Sequence, residues 1–296
     1  MATLTTLTWI GGGNNKASNP NDWSPTGVPQ PSDTLQIVGP GTYAMNVQGN
    51  DLRGDPLGIS DNTGTVVHAT VNLSHNAAVT ARVMPEANAT FNLSGVSHLD
   101  LSLFGQGAEN SATVNLASNS VWIGSFHVGH SGPLSISGGA HSVFINDGAS
   151  GVDSDILGAR VAVPVLGKGS IGVNGHASRL EFASSVGASQ SVDVSGAPET
   201  SVLTIDHPHE YHASTSIGYG AEIDLVGLAH ADSYTFKNDM LAIYSGNHVI
   251  YGMRLQDGYL PGVFAVAQTP SGVNIFSSAD PNNLPAGALP IHHWSV

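Results

Sequence analysis

An all-β chain wound into a right-handed parallel β-helix, or β-solenoid, is what this sequence predicts, and three observations carry the prediction. The first is a repeat: Thr70-Val71-Asn72-Leu73-Ser74 returns nearly unchanged as Thr90-Phe91-Asn92-Leu93-Ser94 and again as Thr113-Val114-Asn115-Leu116-Ala117. A period of about 20 to 25 residues, with one short strand at a fixed place in each unit, marks coils that stack and share a core. The second is composition. Glycine is 36 and proline 16 of 296 residues, with aromatics at 6% and charged residues at 10%, which suits many short strands joined by tight turns. The third is the lack of any long stretch with apolar side chains at helical spacing uninterrupted by Gly or Pro.

In chain order, residues 1–50 differ in character from the remainder of the chain. Two of the four tryptophans stand here, in Thr8-Trp9-Ile10-Gly11-Gly12-Gly13 and Asn21-Asp22-Trp23-Ser24-Pro25, followed by Gly27-Val28-Pro29 and a strand-like Asp33-Thr34-Leu35-Gln36-Ile37-Val38. The first coil of a solenoid leaves unpaired backbone and apolar side chains at its end, so a cover is required, and two Trp with Pro-rich turns supply one. The order W-x-G-G-G, N-x-x-D-W-S, G-V-P, D-T-x-x-I also resembles the opening of passenger regions in bacterial autotransporter and haemagglutinin-like adhesins. That resemblance implies a capped right-handed β-helix exposed at a cell surface.

Residues 51–230 are expected to form the coils. Val71, Phe91 and Val114, with Leu73, Leu93 and Leu116, stack inward, which places Asn72, Asn92 and Asn115 outward in a column whose amides can bond along the axis. Fainter copies stand at Leu134–Ser137, Ile171–Asn174 and Val192–Ser195. A second strand per coil is read at Ala78–Val83, His98–Leu103, Val121–Gly124 and Ser142–Ile145, where Leu99, Leu101 and Leu103 alternate with polar residues. Residues 231–296 drift from the pattern and predict a divergent β segment ending in an extended Pro-containing tail. The order of apolar and Gly positions from 203 to 275 resembles a segment common in large secreted bacterial surface proteins.

The charge balance of 8 basic and 22 acidic residues gives −14, a field that repels phosphate backbones, so nucleic acid is excluded as a partner. No apolar run of about 18 residues is present, so no helical membrane insertion is expected. There is no cysteine to form disulfides or thiolate metal sites. The N-terminus lacks the basic and apolar regions of a cleavable signal peptide, although the surface-protein resemblance implies an extracellular or cell-surface location.

Chemistry-bearing residues are sparse. Asp153 and Asp155, with Asp147 nearby, form a turn-like set that could take calcium through carboxylates and carbonyls, as easily as they could be solvated turn residues. On an extended strand His207 and His209 share a face and could hold a transition metal, although polar residues belong at a turn there anyway. Trp9, Trp23 and Trp122 offer flat faces for an interface or for stacking on sugar rings, or else pack the core. No catalytic motif is present. The expectation is therefore a structural or adhesive surface or matrix protein that self-associates into an oligomer or filament through its strand edges. The alternatives are a polysaccharide-active lyase or hydrolase and a glycan-binding module.

Overall fold

The computed structural model describes residues 5–12, 14–31, 33–52, 56–60, 66–104, 110–129, 132–153, 158–175, 177–195, 200–257, 263–278 and 287–289. The chain is 61% strand and 2% helical, and its coils are parallel and stacked, a β-solenoid. It divides into two compact units, Met1–Asp147 and Gly148–Val296.

In the first unit the strands are β1 (Thr6–Trp9), β2 (Trp23–Ser24), β3 (Thr34–Val38), β4 (Gly41–Gln48), β5 (Leu57–Ser60), β6 (Val67–Ser74), β7 (Ala78–Val83), β8 (Ala87–Leu93), β9 (Val96–Phe104), β10 (Ser111–Leu116), β11 (Val121–Gly129), β12 (Leu134–Gly138) and β13 (Val143–Asn146). Two parallel stacks result. One runs β1-β3-β5-β7-β9-β11-β13 and the other β4-β6-β8-β10-β12. The period-2 pattern of each strand sends one face inward. Met45, Val71, Phe91, Val114 and Ile136 form one inner column, and Leu35, Leu57, Ala81, Leu101 and Phe126 form a column of the other stack; all are buried.

The coil ladder starts before residue 51, since β3 and β4 already pair in parallel with later coils. The segment preceding them acts as a lid. Lys16 bridges Asn46, Ala17 N–H donates to the Asn46 carbonyl, Asn46 N–H donates to the Asn15 carbonyl, and the Trp9 indole N–H donates to the Ala44 carbonyl at 3.1 Å. These bonds occupy backbone groups on the outer edge of β4, where the next strand of an assembly would otherwise pair.

The second unit holds β14 (Ala149–Asp153), β15 (Ala159–Val161), β16 (Val165–Leu166), β17 (Ser170–Val173), β18 (Arg179–Phe182), β19 (Ser191–Val194), β20 (Ser201–Ile205), β21 (Ser214–Ile217), β22 (Ala221–Val226), β23 (Ser233–Lys237), β24 (Met240–Ser245), β25 (His248–Asp257), β26 (Val263–Gln268) and β27 (Gly272–Ser278). Its parallel stacks are β14-β17-β19-β21 and β15-β18-β20-β22. The faint repeats at Ile171 and Val192 pair with each other here, Ile171 beside Val192 and Val173 beside Val194. From β23 onward pairing is largely antiparallel: β23-β24-β25 form a meander whose last strand also runs parallel to β21, and the β26–β27 hairpin closes β22. The edge of β26 is met in turn by Ala288 and Leu289, whose N–H donates to the Val266 carbonyl.

Candidate functional site

The most ordered polar feature is the outward face of β4, β6, β8, β10 and β12. Inward apolar residues fix the register, and alternation then forces every second residue onto the surface in line with its counterparts above and below. Asn46, Asn72, Asn92, Asn115 and Ser137 form one row. Ala44, Thr70, Thr90, Thr113 and Ser135 form the next, and Thr42, His68, Asn88 and Ser111 a third. Positions lie about 4.8 Å apart along the stack and about 6.8 Å apart along each strand. None of them is Asp, Glu, Lys or Arg, in a chain whose net charge is −14.

The Asn row is a hydrogen-bonded chain of one polarity. Ser137 Oγ donates to Asn115 Oδ1 at 3.0 Å, Asn115 Nδ2 to Asn92 Oδ1 at 3.1 Å, Asn92 Nδ2 to Asn72 Oδ1 at 2.9 Å, and Asn72 Nδ2 to Asn46 Oδ1 at 2.9 Å. In the third row Ser111 Oγ donates to Asn88 Oδ1 at 2.6 Å. Each bond is worth about 1 kcal/mol at this half-buried depth, and together they lock the side chains into single rotamers. Beside the Asn column lies a shallow groove of ≈ 350 Å³ bordered by Ser74, Ser94 and Ala117. Repetition marked three of these asparagines in the sequence. Asn46 escaped because Ala44-Met45-Asn46-Val47 lacks the Thr of the motif; its one signal is an Asn between two apolar residues.

A different polar set stands on the outward face of β15, β18, β20, β22 and β27. Arg160, Glu181, Thr204, Asp224 and Asn274 form a row, with Glu222 two residues from Asp224 on the same strand face. Arg160 Nε donates to Glu181 Oε1 at 2.6 Å, and Asn274 Nδ2 donates to Glu222 Oε1 at 2.5 Å. Asp224 is half-buried and its Oδ1 has no hydrogen-bond partner. Burial, and then the neighbouring Glu222 carboxyl, push the Asp224 pKa up to about 6, with Arg179 opposing.

The residues marked in the sequence behave otherwise. The stacking or interface expectation for Trp9, Trp23 and Trp122 is corrected: all three are buried, and a buried indole offers no face to a sugar or partner. Trp9 meets Trp23 edge-on with centroids 5.1 Å apart, and Trp23 Nε1 donates to the Ala17 carbonyl at 2.8 Å. Trp122 faces inward against Phe144 at 4.2 Å, its Nε1 donating to the Leu99 carbonyl at 2.7 Å. Three large apolar rings with one donor each fill space well once that donor is matched.

His207 and His209 do not share a strand face. Pro208 starts a 3-10 turn, Pro208–Glu210, so alternation does not apply. Both imidazoles are exposed, lining a groove of ≈ 300 Å³ with Asp206, Glu210, Val226 and Leu228, and the His209 ring stands edge-on to Tyr251. Asp147 is exposed in the first unit, Asp153 ends β14 in the second, and Asp155 lies outside the described residues. Among the described residues no group of three or more His, Asp or Glu could hold a metal ion, and no helix is long and apolar enough to cross a membrane.

No protein family, curated protein or solved structure matches this chain.

Proposed function

We propose that this chain is a non-catalytic structural or adhesive module of a bacterial surface or matrix, working outside the cell through the uncharged Asn and Thr rows of β4, β6, β8, β10 and β12. The observation that carries this reading is the row geometry itself. Isolated surface residues need no common register, whereas here Asn recurs at one position on four successive strands and Thr at the next on three, with the Asn side chains hydrogen-bonded to one another. A rigid, periodic array is preorganised for a periodic counterpart, so little side-chain entropy is lost on contact. The resemblance of the Trp-rich opening to adhesin passenger regions points the same way.

Self-association through bare strand edges has less support than adhesion. The lid over β4 and the contact of Ala288 and Leu289 with β26 occupy backbone groups that head-to-tail pairing would need. The adhesive reading is tested by depletion of the purified chain from solution onto insoluble polysaccharides and hydroxylated mineral surfaces. Retention that is insensitive to salt and lost on introducing Lys at Thr90 and Thr113 is the expected result. Retention that salt abolishes would assign it to the −14 charge instead.

A second reading, a polysaccharide-active enzyme, is favoured by one observation: the Glu222–Asp224 pair, in which a carboxyl titrating near pH 6 sits beside a second one. Two neighbouring carboxyls, one of which holds its proton to higher pH, are what glycoside hydrolysis uses. Glycan turnover abolished by both Asp224→Asn and Glu222→Gln would establish it.

A further inference from the structure

The periodic face allows the counterpart to be named by its chemistry. We propose that the Thr70, Thr90, Thr113 and Ser135 row, with the Asn46, Asn72, Asn92 and Asn115 row beside it, binds crystalline water, so that the module adheres to ice. This rests on the reading of that face as the working surface.

The argument begins with hydrogen-bond capacity. Each Thr or Ser hydroxyl offers one donor and two acceptor lone pairs; Asn72, Asn92 and Asn115 each keep one N–H and one acceptor lone pair beyond their bonds to their neighbours, and Asn46 keeps both N–H groups. The face thus presents a rectangular net of groups that can each hold a water, at about 4.8 Å by about 6.8 Å. Ice exposes oxygen atoms on rectangular nets with repeats close to these. Waters anchored at successive rungs are therefore already spaced to join the lattice.

Three features separate this occupant from others. Without Asp, Glu, Lys or Arg, the face does not pull hydration shells out of the lattice geometry as a charge does. Among the described residues it has no aromatic platform: Trp9, Trp23 and Trp122 are all buried elsewhere, whereas a crystalline glycan is gripped by stacked rings. The rows also stay in register over five strands, with the Asn hydrogen bonds opposing the twist that would carry outer rungs off a planar lattice. The Thr side chains add stiffness, since branching at Cβ restricts χ1.

The experiment is inhibition of ice recrystallisation by the full chain, with burst-free growth and crystal shaping followed by microscopy. Thr90→Tyr and Thr113→Lys project a bulky or charged group from the centre of the net. Thr80→Tyr places the same bulk on the exposed face of β7 in the other stack. The expected result is inhibition by the parent chain, reduced about tenfold or more in the two net variants, as for a displaced central contact, and retained in Thr80→Tyr. Circular dichroism establishes that each variant is folded, and Thr113→Ser, which keeps the hydroxyl, is expected to retain activity if Thr113→Lys misfolds. No inhibition by the parent chain, or equal loss in Thr80→Tyr, overturns the proposal. A chain that is depleted onto insoluble polysaccharide but ignores ice overturns it while leaving the adhesive reading standing.

Discussion

The polarity of the Asn column makes a sharp prediction about two chemically identical substitutions. Asn92 both accepts from Asn115 and donates to Asn72, each at about 3 Å, whereas Asn46 at the end of the column only accepts, from Asn72. In N92D the donor is lost and a carboxylate oxygen faces Asn72 Oδ1 at 2.9 Å. The missing bond costs about 1 kcal/mol and the opposed, half-buried acceptors about 1 to 2 more. The charge-assisted bond from Asn115 returns about 1, for a net loss of about 1 to 2 kcal/mol. In N46D the acceptor is kept and charged, so Asn72 donates to a better partner and stability changes by less than about 0.5 kcal/mol. The assay is urea unfolding, reading the midpoint at unchanged slope. The two variants should also differ with pH. Protonating the introduced carboxyl of N92D restores an O–H donor, so its folded pKa is raised. The deficit is accordingly smallest at about pH 3 and grows as pH rises through that pKa. Equal losses in N46D and N92D, or a larger loss in N46D, would refute the polarity and with it the account of how the rows are locked.

Other parts of the fold give further expected outcomes. Asp224 has a folded pKa of about 6 against an ordinary 3.8. Its contribution is thus most favourable below about pH 4 and is lost as pH rises through 6; after discounting for its half-exposure this amounts to about 1 kcal/mol. Asp224→Asn should remove that slope from the pH dependence of the urea midpoint; an unchanged slope would clear Asp224 of responsibility. Trp122→Ala empties a site packed against Phe144 and strands the Leu99 carbonyl, so a loss of about 3 to 5 kcal/mol is expected in the same assay. Gly124 has φ +146, and a Cβ there would lie 2.1 Å from the Leu99 carbonyl oxygen, so Gly124→Ala should destabilise by about 2 kcal/mol or more. A variant as stable as the parent would show that β9 and β11 do not approach this closely.

The sequence by itself determined the fold class and much of the polar array. Solenoid coils are built from local alternation and a short repeat, so Thr-x-Asn-Leu at a fixed interval already implies which side chains stack inside and which line up outside. It also determined that a lid was needed and that residues 231–296 would depart from the coils. Only the tertiary structure decided the facing of Trp122, because β11 pairs with β9 by setting Trp122 opposite Ser97 and Phe126 opposite Leu101, a register that no single strand encodes. It alone placed Asn46 at the head of the column, since membership there depends on Met45 stacking over Val71 rather than on a shared motif. The raised pKa of Asp224 was equally out of reach, as its first cause is burial on β22, onto which the β26–β27 hairpin folds back; Glu222, the second, stands two residues away on the same strand. Stacking and alternation are written along the chain, whereas register between coils, burial and the meeting of charges are properties of how distant segments come to lie together.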